Sequence, residues 1–163
     1  MQRSNHSINI KEDTMRYIIT LLITAILLAG CGKPDLSPRD INQKTDKCVV
    51  CNMMIDHPEQ ATQMVYNNED HLIFDDIGCM MEHYNKENKD DIGMMYVKDY
   101  KKDKWIDATK AFYIYNKDIW TPMNYGVAAF ETEADRDAFM KKYKNSKQLQ
   151  FNDLKSFKWG IHT

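Results

Sequence analysis

HLIFDDIGCMMEHYNK, residues 71–86, reads in two halves. HLIFDD has the apolar and β-branched content of a strand, and ATQMVYN (61–67) before it reads as the partner of a hairpin closed by NNED. In the second half Ile77, Met80, Met81 and Tyr84 recur at i, i+3, i+4 and i+7, one face of a helix. Asp75 or Asp76 is placed to cap its start. NKENKDD (85–91) is a charged turn, and MMYVKDY (94–100) is a further strand. The order is β-β-α-β.

The same order recurs downstream. ATKAFYIYN (108–116) is an aromatic-rich strand, KDIWTPMNYG (117–126) is a loop with Pro and Gly, and VAAFE (127–131) is a strand that ends much as LIFDD does. TEADRDAFMKKYK (132–144) opens on a capping pattern, Thr132-Glu133-Ala134-Asp135, and continues as a helix. KQLQFNDL (147–154) reads as the closing strand. The expected fold is α+β: two tandem β-β-α-β units, at about 48–100 and 108–155, forming one domain over 48–163. Phe74 and Phe130 fall in matching places, and Trp105 lies at the junction.

The front of the chain points to a compartment. Residues 17–30, YIITLLITAILLAG, are too short for a comfortable membrane span but fit the apolar core of a secretory signal, with Arg16 as its positive flank. Leu28-Ala29-Gly30-Cys31 resembles the lipobox of bacterial lipoproteins, which implies cleavage before Cys31 and acylation of its sulfur. Residues 1–30 are then the signal peptide. Translation is expected to start at Met15, because Glu12 and Asp13 do not suit a signal's amino-terminal region. Residues 31–47, the lipidated Cys31 and a polar segment with two prolines, read as a flexible linker able to reach roughly 50 Å when stretched. The expected location is the cell membrane, lipid-anchored and facing outside the cytoplasm.

Composition narrows the partners. The chain carries 22 basic and 24 acidic side chains, and loss of residues 1–31 leaves 19 and 22. That mild acidity argues against nucleic acid. About 130 residues remain, enough for one cored domain. No nucleophile–base pair and no glycine-rich phosphate loop stand out, which points away from an enzyme.

KCVVCNMMID, residues 47–56, carries the chemistry. A Cys48-x-x-Cys51 pair suits a metal or a disulfide. A thioredoxin-type redox site expects a preceding strand and a helix opening at the first cysteine, whereas a linker precedes this one. That leaves an extracytoplasmic thiol–disulfide oxidoreductase as the alternative function. Structural zinc wants four ligands; Cys79 and His83, i and i+4 on one helix, could complete a Cys3His set that leaves Met53 without a role. The third reading uses Met53, since thiolate plus neutral thioether favours Cu(I). Met123, in the turn-rich Thr121-Pro122-Met123-Asn124-Tyr125-Gly126, is a second thioether without an obvious core to fill. His57, close behind the cluster, is a weaker candidate.

CVVCNM, the hairpin into FDDIGCM, and KDIWTPMNYG before VAAF together resemble the NosL family of nitrous-oxide-reductase accessory lipoproteins. The resemblance implies a pair of β-β-α-β units and a chaperone that binds Cu(I) outside the membrane. It implies delivery to a copper enzyme, nitrous oxide reductase or a related client, with a copper exporter as a further partner. Carried over residue by residue, it makes Cys48, Cys51, Met53 and Met123 the copper-site candidates. Cys79, His83 and His57 stay as possible ligands, and Cys31 as the lipidation site. The family hallmark is CxxCGM; here Asn52 replaces the glycine, and Asn tolerates a left-handed backbone better than most residues.

Overall fold

The computed structural model describes residues 14–20 and 32–159, and the chain divides into two units, residues 1–34 and 35–163. In the first unit residues 14–20 form helix α1. No helix among the described residues is long and apolar enough to cross a membrane. Cys31, most of the apolar run and residues 160–163 lie outside the described residues.

The second unit holds the expected tandem. Its first sheet has the order β2-β1-β3-β4, formed by β1 (Thr62–Tyr66), β2 (His71–Phe74), β3 (Ile92–Lys98) and β4 (Trp105–Asp107). β1 and β2 pair from Thr62↔Phe74 to Val65↔His71, an antiparallel hairpin. Glu69 takes φ 70° in its turn, and the amide of Tyr66 donates to the Asp70 carbonyl. Helix α2 (Ile77–Tyr84) follows β2, and β3 then returns antiparallel beside β1. The junction residue Trp105 opens β4 and pairs with Lys98, adding an edge strand that the tandem pattern alone does not contain.

The second sheet has the order β6-β5-β7, from β5 (Phe112–Tyr115), β6 (Val127–Phe130) and β7 (Lys147–Leu149), with helix α3 (Glu133–Lys142) between β6 and β7. Thr132 caps α3, its hydroxyl oxygen accepting from the Asp135 amide at 3.1 Å. The expected closing strand over 147–154 is half right. Strand pairing stops at Leu149, and Phe151–Lys155 form a short helix, α4. Gln150 and Asp153 build a capping box at its start, which local pattern outweighs the alternation read from KQLQFNDL.

The sheets meet at Asp99. This fully buried carboxylate accepts from the amides of Lys101, Lys102 and Glu131, while the Tyr100 amide donates to the Ala129 carbonyl. One core runs through both halves, from Met64, Phe74, Met80 and Met81 to Tyr113, Val127 and Leu149. A satellite core under α3 gathers Ile114, Ile119, Ala128 and Phe130 against Phe139 and Tyr143. Each fully buried large side chain contributes roughly 1.5–3 kcal/mol.

Residues 35–47 are not a free linker. The Arg39 amide donates to Gln63 Oε1 at 3.1 Å, Gln63 Nε2 donates back to the Arg39 carbonyl at 2.6 Å, and the Tyr96 hydroxyl donates to the Leu36 carbonyl at 3.0 Å. Arg39 and Asp46 form a two-pronged ion pair at 2.8 and 2.9 Å. The segment is a strap along β1 and β3. Gln63, a polar side chain buried in mid-strand, finds partners for both ends of its amide in the strap, and His71 Nδ1 lies 3.3 Å from its oxygen.

Candidate metal centre

The strap leads into a small hairpin. Lys47 and Met54 bridge, the Cys48 amide donates to the Met53 carbonyl at 2.9 Å, and the Asn52 amide donates to the Cys48 carbonyl at 2.9 Å. Closing so tight a turn needs a left-handed residue, and Asn52 takes φ 60°. Replacing Asn52 with Gly is expected to leave stability within a few tenths of a kcal/mol, whereas Asn52→Val should cost about 1–2 kcal/mol, read from thermal melting of the reduced protein.

The Val49 amide donates to the Ile73 carbonyl at 3.1 Å and fastens the hairpin tip to the end of β2. The chain turns there into α2, whose N-cap is Asp76, so the first turn of the helix lies against the hairpin. Cys48, Cys51 and Cys79 meet at this point, their sulfur atoms all within 4.8 Å of one another. Cys48 and Cys79 are fully buried, and Cys51 is partly exposed.

The three thiols are not equivalent. The Cys79 S–H donates to the Cys48 sulfur, which also takes the N–H groups of Cys51, Asp75 and Val50; these donors outweigh burial and draw Cys48 down to about 5. Cys79, which gives the proton to that bond and is buried, is pushed up. Burial and the neighbouring Cys48 push Cys51 up to about 11. At neutral pH the cluster therefore holds one thiolate and two thiols. A sulfur ringed by N–H donors beside a helix start is the environment that favours thiolate.

Two carboxylates back the cluster. Asp75 is buried and rises to about 6, by desolvation first and then through the charges of Asp76 and Cys48, with His57 offsetting part of the shift. Asp76 is also pushed up by burial, although N–H groups partly hold it down. The doublet reads in sequence as a helix cap; only Asp76 plays that part, and Asp75 offers its amide to Cys48.

The remaining candidates are placed as follows. Met123 is half-buried, and its amide donates to Asp76 Oδ2 at 3.2 Å, which brings its loop to the first turn of α2. Met53 is 44% exposed on the hairpin. Among the described residues of this unit, the exposed large apolar side chains are Val49, Met53 and Trp120, all in the CxxC hairpin or the loop that carries Met123. His57 packs its ring edge on Trp120 with centroids 4.6 Å apart, and its Nδ1 lies 3.1 Å from Glu59. His83 is not in the cluster. Its Nε2 lies 3.2 Å from the Tyr66 hydroxyl and 3.3 Å from Glu87, one turn of helix further from the hairpin than Cys79. The Cys3His set thus lacks its histidine. The CxxC pair lies in a hairpin turn, not at a helix start.

Fold and site together define an α+β domain of two tandem β-β-α-β units, carrying a thiol cluster suited to a soft metal ion. By sequence the chain belongs to the NosL family, whose profile matches residues 38–158. In fold it is similar to the crystal structure of the copper chaperone NosL from Shewanella denitrificans, with a TM-score of 0.64 and 18% identity, over 74% of this chain and 96% of that one. No curated protein matches the chain.

Proposed function

We propose that this domain is a copper chaperone that binds Cu(I) on Cys48, Cys51 and Cys79 and passes it to a copper enzyme by ligand exchange. Met53 and Met123 serve as thioether donors at the rim, and no step of the function is catalytic. The observation that carries the reading is the three-thiol cluster with two methionine-bearing segments beside it. Soft sulfur selects Cu(I) over harder cations, and neutral thioethers hold it less tightly than thiolates, which suits transfer. The NosL membership and the fold shared with a copper chaperone support the same reading. The client we propose from the family association is nitrous oxide reductase or a related copper enzyme. The lipobox supports a lipid anchor at Cys31 and work outside the cytoplasm, where the anchor raises the local concentration near membrane-bound exporters.

A titration with Cu(I) under reducing conditions, against a chromophoric chelator, tests this. One tightly held ion per chain is expected; no detectable affinity overturns the reading. Loading at pH 7 should release about two protons, because Cys48, near 5, has already lost its own while Cys51 and Cys79 keep theirs. Between pH 7 and 5 the affinity should therefore fall about 100-fold per pH unit, and faster below 5 as Cys48 takes up a proton. A weakly buffered titration with a pH indicator reads the proton count directly.

A further inference from the structure

Asp76 does more than a helix cap requires. Its side chain is buried and both oxygens are engaged: Oδ1 accepts from the Cys79 amide at 3.1 Å and Oδ2 from the Met123 amide at 3.2 Å. The Thr121 hydroxyl also donates to this carboxylate, while Thr121 Oγ1 accepts from the Tyr125 amide at 3.0 Å. One carboxylate thus ties the start of α2 to a loop whose Met123 lies 47 positions beyond Asp76. The helix carries the thiol of Cys79, the loop the thioether of Met123. A cap needs a single acceptor, which serine or threonine supplies without burying a charge. The second oxygen is committed to the loop.

The loop is held in the same register elsewhere. Tyr125 lies against Gly78, and its hydroxyl donates to Glu82 further along α2. The Met123 loop therefore runs along α2, with Asp76 fastening the end nearest the cluster.

We propose that Asp76 is a positioning residue that holds the Met123 thioether beside the thiol cluster, acting through the Met123 backbone. This rests on the copper reading above. The test compares Cu(I) affinity of the reduced wild-type chain, Asp76→Asn, Met123→Leu and the double variant. Asparagine keeps one oxygen for the Cys79 amide and turns an N–H group toward the Met123 amide. Asp76→Asn should weaken Cu(I) binding about tenfold, the range for residues that orient a metal ligand. X-ray absorption at the copper edge should show one fewer sulfur neighbour. In the Met123→Leu background the same change should add nothing.

Wild-type affinity in Asp76→Asn, or an undiminished loss in the Met123→Leu background, overturns the proposal while leaving the copper reading intact. A wild-type chain that binds no Cu(I) overturns both. Should Asp76→Asn fail to fold, Thr121→Val, which removes the hydroxyl from this joint, carries the same four-way comparison.

Discussion

Cys79→Ser is expected to weaken Cu(I) binding about 100-fold while the domain stays folded. A structural metal site of four ligands holds its ion with roughly 10–16 kcal/mol, so one ligand accounts for ~3 kcal/mol, or about two orders of magnitude. Serine is close to cysteine in size and its hydroxyl still donates, so the fully buried position keeps its packing and a donor for Cys48. What it lacks is a soft, ionisable atom. Chelator competition reads the affinity and thermal melting controls for the fold. Unchanged affinity would remove Cys79 from the site and leave Cys48 and Cys51 as a two-thiol pair.

Gly78→Ala should destabilise the domain by about 3 kcal/mol, the upper end for overpacking a core. A Cβ at residue 78 would overlap Tyr125 Cδ2 and Cε2. The ring has little room to retreat: it is 2% exposed, stands edge-on to Trp159 at 5.3 Å, and its hydroxyl is tied to Glu82. Either the ring or α2 must move, and both courses separate the Met123 loop from Asp76. Denaturant unfolding should show the loss in stability, and Cu(I) affinity should fall with it. A variant as stable as the wild type would mean that loop and helix are less firmly packed than this contact implies.

Both effects depend on contacts far apart in sequence, which marks the limit of what the sequence conveys. β1, β2, β3, β5 and β6, with α2 and α3, were legible because each is a local pattern, such as the apolar run of LIF, the face Ile77-Met80-Met81-Tyr84, and the cap at Thr132; β4 and the helical end of 147–154 were not. The left-handed turn at Asn52 was legible because few residues accept that backbone. Cys79 stood only as a possible ligand, since nothing local places it against a hairpin some thirty residues earlier. The hydrogen bond from Val49 to Ile73 does so. His83 looked like its companion because i and i+4 share a helix face, yet one turn of rise carries it away to Tyr66 and Glu87. The strap misled for the converse reason: polar residues and prolines describe a mobile tether equally well, and only the buried partner Gln63 tells them apart.

The sulfur atoms are graded in depth, with Cys48 and Cys79 sealed, Cys51 half-open and Met53 on the surface. On the copper reading, Cys51 and Met53 are then the sulfur atoms that an approaching donor or acceptor would meet first. A partner taking the ion would displace the outer ligands before the sealed pair, so release would run from the surface inward.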